Sequence, residues 1–300
     1  VDFQRMNLWT GADKPWSRVP YEMIDSPLAI LRLVGDRTWF AVRALYELNQ
    51  LSFDILHVHL PFTANVLVTL APWLRDKMIY TAHVGEEDIR FNLEYDDNTP
   101  APLRYFSPDI YLMNRVAYNT VLNPDLYSKL QEKTNISNIK VIPNGVDLEE
   151  FPATEQEVEE VKDRYDLSNV SVLFAGSITP RKGVDTLIEA ANIANRKLGS
   201  NLNIILVGNT DIDAGFVLDL KEEIEENDIE NIIEFTGFIP WNDLKGLYSA
   251  CDIFTLPSRE EGFGMVVTEA LASGKPVIGT NVGGIQSQVI DGDNGFLIEP

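Results

Sequence analysis

Cysteine is almost absent: Cys251 stands alone in 300 residues. One thiol closes no internal disulfide and builds no cysteine-based zinc site, which fits a reducing compartment. Histidine is nearly as scarce, with only His57, His59 and His83. Three imidazoles and one thiol show no metal-site spacing, so no metal is called for. Basic residues are outnumbered, 24 Lys and Arg against 46 Asp and Glu, for a net charge of −22. A polyanion seeks a basic face, so this balance argues against nucleic acid as a partner. No apolar run approaches the roughly 18 residues of a membrane span, and the most apolar stretch, Asn65–Leu74, is broken by Pro72. There is no signal peptide, which points to the cytoplasm. A Walker loop, a complete G-x-G-x-x-G and a Ser-centred nucleophile elbow are also missing. The chain opens on Val1 and reads as truncated at both ends.

Apolar residues make up 45% of the chain, enough for sizeable cores. The length suits two domains of roughly 100–200 residues each. The acid excess is uneven: residues 1–150 hold 20 acids and 14 bases, whereas residues 151–300 hold 26 and 10. The clusters Asp147–Asp166 and Asp219–Glu234 read as solvated helix faces. A large net charge also suits a high-salt or acid-rich proteome.

Short β-rich runs alternate with segments of helical period. Strands are expected at Asp54–His59, Lys77–Ala82, Asn119–Leu122, Ile139–Ile142, Val170–Ala175, Asn203–Val207, Ile232–Phe235, Asp252–Leu256 and Pro276–Gly279. Helices are expected at Trp39–Leu51, Thr63–Leu74, Glu155–Tyr165, Asp185–Leu198, Ala214–Glu226, Pro240–Ser249 and Gly264–Ser273. The strands after residue 170 lack clean alternation, as strands buried on both faces do. This alternation predicts an α/β architecture of two Rossmann-like doubly wound domains, with a hinge near Pro143–Pro152 and ligands held in a cleft between them.

The segment Pro257-Ser-Arg-Glu-Glu-Gly-Phe-Gly-Met-Val-Val-Thr-Glu269 follows a strand and opens a helix. Gly262 and Gly264 permit a tight turn, and the free N–H groups of Met265, Val266 and Val267 make a helix N-terminus that favours an anion. Glu261 lies in the loop and Glu269 inside the helix, and side chains lean toward the helix start. Both carboxylates are expected to border one pocket, where acceptors suit sugar or ribose hydroxyls. Completion of the helix dipole is the bland alternative.

The segment Phe174-Ala-Gly-Ser-Ile-Thr-Pro-Arg-Lys-Gly183 also joins a strand to a helix. Gly176 allows close backbone approach. Arg181 and Lys182 place two cations against a helix start, which a bound diphosphate would reconcile. A solvated surface pair is the alternative. His83 follows the Lys77–Ala82 strand, where it can bond a sugar hydroxyl, move a proton, or be merely structural. His57 and His59 are read as structural, on opposite sides of their strand. Asp211–Asp213 and Asp291–Asp293 read as loop acids.

Taken together, these segments resemble glycosyltransferase family 4 (group 1), the retaining nucleotide-sugar glycosyltransferases of GT-B fold. The resemblance is strongest from Asn144-Gly-Val-Asp147 to Gly295-Phe296 and most specific in the E-x7-E pair Glu261 and Glu269. It implies an acceptor-side domain over 1–146, incomplete at its start, and a nucleotide-sugar domain over 147–300, lacking its final helices. Glu261 would hold hydroxyls of the transferred sugar, Glu269 the ribose, and Lys182 the diphosphate. Backbone from Phe263 through Gly264 and Met265 to Val266 would contact sugar and phosphate, and His83 would lie near the reacting centre. Where the family often has Gly-Arg this chain has Gly176-Ser177, leaving Arg181 to supply the second cation. The family's N-terminal glycine-rich loop and C-terminal crossing helix are missing, in keeping with truncation.

The function implied is transfer of a sugar from a nucleoside-diphosphate donor to an acceptor hydroxyl with retention of configuration. The acceptor would be a glycan, lipid or small molecule, and no cofactor is required. Peripheral contact with the inner face of a membrane follows only by resemblance, and the first half offers no basic amphipathic helix for it. Two alternatives use the same residues: a non-catalytic sugar-nucleotide-binding subunit, and a nucleotide-sugar epimerase or hydrolase on the same fold.

Overall fold

The computed structural model describes residues 27–83, 107–165, 167, 169–198 and 201–300. Two compact units emerge: residues up to 141 without 122–126, and residues 122–126 with 142–300.

The first unit runs α1 (Pro27–Leu48), β1 (Leu56–Val58), α2 (Pro61–Leu70), a 3-10 turn (Pro72–Lys77), β2 (Met78–Ala82), α3 (Pro108–Met113), β3 (Tyr118–Val121), α4 (Pro124–Lys133, whose first three residues group with the second unit) and β4 (Ile139–Val141). Its strands form a parallel sheet of order β1-β2-β3-β4. Pro72 ends the helix before it, because proline cannot donate into the preceding turn. The expected 63–74 helix is therefore split at Ala71. The first helix starts twelve residues before the expected Trp39. Two helices, α3 and α4, were not expected, although both begin with an N1 proline.

The second unit continues with α5 (Glu155–Arg164), β5 (Val170–Ala175), α6 (Val184–Leu198), β6 (Leu202–Val207), α7 (Ala214–Glu226), β7 (Ile233–Gly237), α8 (Trp241–Ala250), β8 (Ile253–Leu256), α9 (Met265–Ala272), β9 (Val277–Thr280) and β10 (Gly295–Ile298). The six strands are parallel in the order β10-β9-β8-β5-β6-β7. Read from the other edge, with β5 as strand one, this is the doubly wound 3-2-1-4-5-6 order. All six residues of β6 are buried, as helices on both faces require. Val184, Leu187, Ile188 and Ala191 of α6 join this core at the expected helical spacing. Glu155, Glu159, Glu160, Glu222, Glu225 and Glu226 are exposed, so the acid clusters are largely solvated faces.

Local chemistry fixes these elements. Thr154 and Glu157 close a reciprocal capping box on α5. Asp213 accepts the Phe216 N–H at the start of α7. Helix α8 carries Gly246 because a β-carbon there would lie 2.7 Å from the Glu157 carbonyl of α5.

Candidate active site

A doubly wound sheet opens where its strand order reverses, between β5 and β8 here. The loops leaving these two strands carry both segments that the sequence singles out. Gly183 lets them meet, since a β-carbon at this position would lie 1.9 Å from the Pro257 carbonyl. With φ at 66°, it also favours glycine.

Across this junction Lys182 Nζ forms an ion pair with Glu261 Oε2, their side chains only 11% and 12% exposed. Each charge is thus compensated by the other. Arg181 is placed differently: it is exposed, and its guanidinium donates to the Glu260 carbonyl at 3.2 Å. Lys182 is therefore the cation held inside the junction. Ser177 and Gly176 follow β5 and are half-buried. Close approach here comes from Gly208, whose β-carbon would lie 1.7 Å from the Gly176 carbonyl; one on Gly176 would make only ordinary contacts.

Gly264 takes a left-handed conformation, φ 85°, at the N-cap of α9 and offers no side-chain cap. The Val267 N–H turns back to the Gly264 carbonyl at 2.9 Å, so it is not the free donor expected from sequence. Met265 and Val266 occupy the first turn. Phe263 is buried, and the Gln288 amide donates to its carbonyl while accepting from the Thr268 hydroxyl. Glu269 stands apart from the Lys182–Glu261 pair in its bonding. It accepts a hydrogen bond from the Tyr248 hydroxyl at 2.8 Å, and burial pushes its carboxyl above the usual carboxylate range.

Sequence reasoning missed Arg259. Its guanidinium holds Asp185 at 2.8 and 3.0 Å, Thr186 at 3.3 Å and the Pro180 carbonyl, while its N–H donates to the Arg181 carbonyl at 2.8 Å. One residue thus ties the two loops together. The pair is partly exposed and adds little to global stability, but it restrains local opening. Arg259→Leu is expected to raise amide exchange in residues 181–183 and 258–262 about tenfold, with the melting temperature nearly unchanged. Unchanged exchange in both loops would remove the clamp role. Arg259→Lys is expected to restore little, because an ammonium lacks the planar fork.

In the first unit the chain's three histidines meet. His59 Nδ1 lies 2.7 Å from His83 Nε2, and the rings of His57 and His59 are 4.2 Å apart. Residues two apart on a strand share a face, so the expectation that His57 and His59 face opposite sides is corrected. His57 bonds Thr81 at 2.6 Å, and Thr81 bonds Thr120. Burial, then neighbouring imidazoles, lower the proton affinity of His57 and His83. The residues after His83 in its motif, Val84–Glu86, lie outside the described residues. Among the described residues no group of His, Cys, Asp and Glu could hold a metal ion, and no helix is long and apolar enough to cross a membrane.

Two Rossmann-like α/β units, the second with a charged junction at its switch point, define a protein of GT-B type. The fold resembles that of Anabaena HepE solved in complex with UDP-glucose, with a TM-score of 0.70 at 22% identity over 92% of this chain and 70% of that one. The family descriptions Glycosyltransferase Family 4 and Glycosyl transferases group 1 match residues 9–150 and 156–300. The chain belongs to this family, the group 1 glycosyltransferases of family 4. Among curated relatives, mannosylfructose-phosphate synthase of Agrobacterium fabrum is 32% identical over 89% of this chain and 57% of its own length. D-inositol 3-phosphate glycosyltransferase of Corynebacterium urealyticum is 27% identical over 86% and 62%. The chain thus spans about three fifths of the length of these two relatives.

Proposed function

We propose that this chain carries the donor site of an enzyme that transfers a sugar from a nucleoside-diphosphate sugar to an acceptor hydroxyl, with retention of configuration. The observation that carries the reading is the Lys182–Glu261 pair at the switch point. A diphosphate would draw Lys182 away from Glu261 and free that carboxylate to accept from sugar hydroxyls, so one arriving ligand repartners both charges.

As the glycosidic bond breaks, negative charge grows on the leaving diphosphate. Lys182, with Arg181 as a second cation and the first-turn N–H groups of Met265 and Val266, would stabilise it electrostatically. The backbone of Phe263 and Gly264 would contact the sugar, Gly176 and Ser177 would border the phosphates, and Glu269 would accept the ribose hydroxyls. His83 keeps its resemblance-based role in proton transfer or hydroxyl binding, supported by its bond to His59. HepE is solved with UDP-glucose, which makes that sugar nucleotide the first donor to test.

The experiment is a panel of UDP-, GDP- and ADP-sugars with candidate acceptors, the product's anomeric configuration being read by NMR. Product carrying the donor's own configuration, formed only when acceptor is present, is the expected result. Turnover without acceptor to an epimerised nucleotide sugar, or binding with no turnover across the panel, would replace this reading with one of the two alternatives.

A further inference from the structure

Glu269 is held by a residue that no family role covers. Tyr248 lies on α8, its ring fully buried against Phe254 at 5.5 Å and Phe151 at 6.5 Å. Burial and these two aromatic contacts fix the ring, and its hydroxyl bonds Glu269 Oε2 at 2.8 Å. Among the described residues no protein donor meets Oε1. A carboxylate on a helix ordinarily samples several rotamers, and a ligand that needs one of them must select it.

We propose that Tyr248 is a positioning residue of the donor site: by holding Oε2 it fixes the Glu269 carboxylate so that Oε1 is left to accept from the paired hydroxyls of a ribose. The proposal rests on the reading of Glu269 as the ribose carboxylate. It differs from a purely structural role in its electrostatics. The hydroxyl bond favours the ionised form of Glu269, opposing the burial that favours the neutral form. Tyr248 is the titratable group facing Glu269, with Cys251 behind it, and its own phenol stays protonated because burial and Glu269 both raise it.

The test titrates UDP, GDP and ADP into the full chain, followed by the 2′,3′-dideoxy form of whichever binds. Glu269→Ala is expected to abolish the preference for the ribose form. Tyr248→Phe removes one oxygen atom and keeps the ring. It is expected to weaken the ribose nucleotide about five- to tenfold and the dideoxy form less than twofold. Its affinity should also start to fall at a higher pH on acidification, because Glu269 loses the bond that favours its charge. Affinity and acid limb unchanged in Tyr248→Phe, with discrimination lost in Glu269→Ala, would overturn the Tyr248 role and leave Glu269 standing. Discrimination intact in Glu269→Ala, or no binding by any of the three nucleotides, would remove the ribose reading and the proposal with it. Should Tyr248→Phe fail to fold, 3-fluorotyrosine installed at position 248 provides the second measurement. Its more acidic hydroxyl is expected to move the acid limb to lower pH, and an unmoved limb would overturn the proposal.

Discussion

Lys182→Ala is expected to lower sugar transfer about 10²–10³-fold, the loss that follows removal of one preorganised group facing charge that develops in the transition state. The same substitution strips Glu261 of its partner in a junction where both side chains are nearly nine-tenths covered. Removing one member of a fully buried pair destabilises by about 3–5 kcal/mol because the other charge is left uncompensated. Some water reaches this pair, so about 2 kcal/mol is expected, or roughly 4–8 °C in melting temperature for a unit of this size. Stability and catalysis can then be separated. Glu261→Gln introduced beside Lys182→Ala removes the stranded charge and should recover most of the melting temperature. It should recover no activity, since neither the proposed diphosphate cation nor the proposed sugar carboxylate is restored. Thermal denaturation and UDP titration on the single and double variants measure both. If UDP binds Lys182→Ala as tightly as the parent, Lys182 has no diphosphate role and the pair is structural alone.

The reach of sequence reasoning ended where contacts became long in sequence. The two loops were legible because each is a local event: a β run stops, glycine appears, and a helix period begins. Their meeting was not legible, because it depends on strand order. Lys182 and Glu261 become neighbours only because β8 inserts beside β5 while β6 and β7 go to the other side. The same limit explains the unexpected residues. Arg259 reaches Asp185 from 74 positions away, and Tyr248 reaches Glu269 across a helix, a strand and a loop. Arg259 left one faint trace, as a cation two residues before Glu261 in an acidic half. Tyr248 left none, because a buried tyrosine in a helix of apolar period looks like core. Two further features are local in sequence. Asn123 followed by Pro124 is a capped helix start, and its side chain does accept the Leu126 N–H at 2.8 Å. The histidine pair likewise follows from strand geometry rather than topology, since period two puts His57 and His59 on one face.

Gly283→Ala is expected to damage the site severely, although it adds only one methyl group. A β-carbon at Gly283 would lie 1.7 Å from the Glu261 carbonyl oxygen, and one at the neighbouring Gly284 would lie 2.4 Å from the Phe263 backbone. The Gly284 N–H also donates to that Glu261 carbonyl at 3.3 Å. The segment after β9 therefore acts as a mould behind the Glu261–Gly264 loop, and glycine is what lets backbone lie on backbone. With φ at 45°, alanine at Gly283 also meets the left-handed penalty of about 1–2 kcal/mol. Gly274 supplies the control: its φ is 73°, but a β-carbon there meets nothing within 4 Å. Gly274→Ala should therefore cost only the conformational term and leave nucleotide affinity alone. Gly283→Ala carries the same term and must in addition push the Glu261 backbone away, and the carboxylate and Lys182 with it. A displacement on the order of 1 Å at a reacting group costs about 10²-fold in rate. The difference between the two variants, in melting temperature and in sugar transfer, isolates the contribution of the mould. Equal behaviour of the two would mean that the loop relaxes freely around a methyl group. Glu261 would then owe its position to Lys182 rather than to the backbone beneath it.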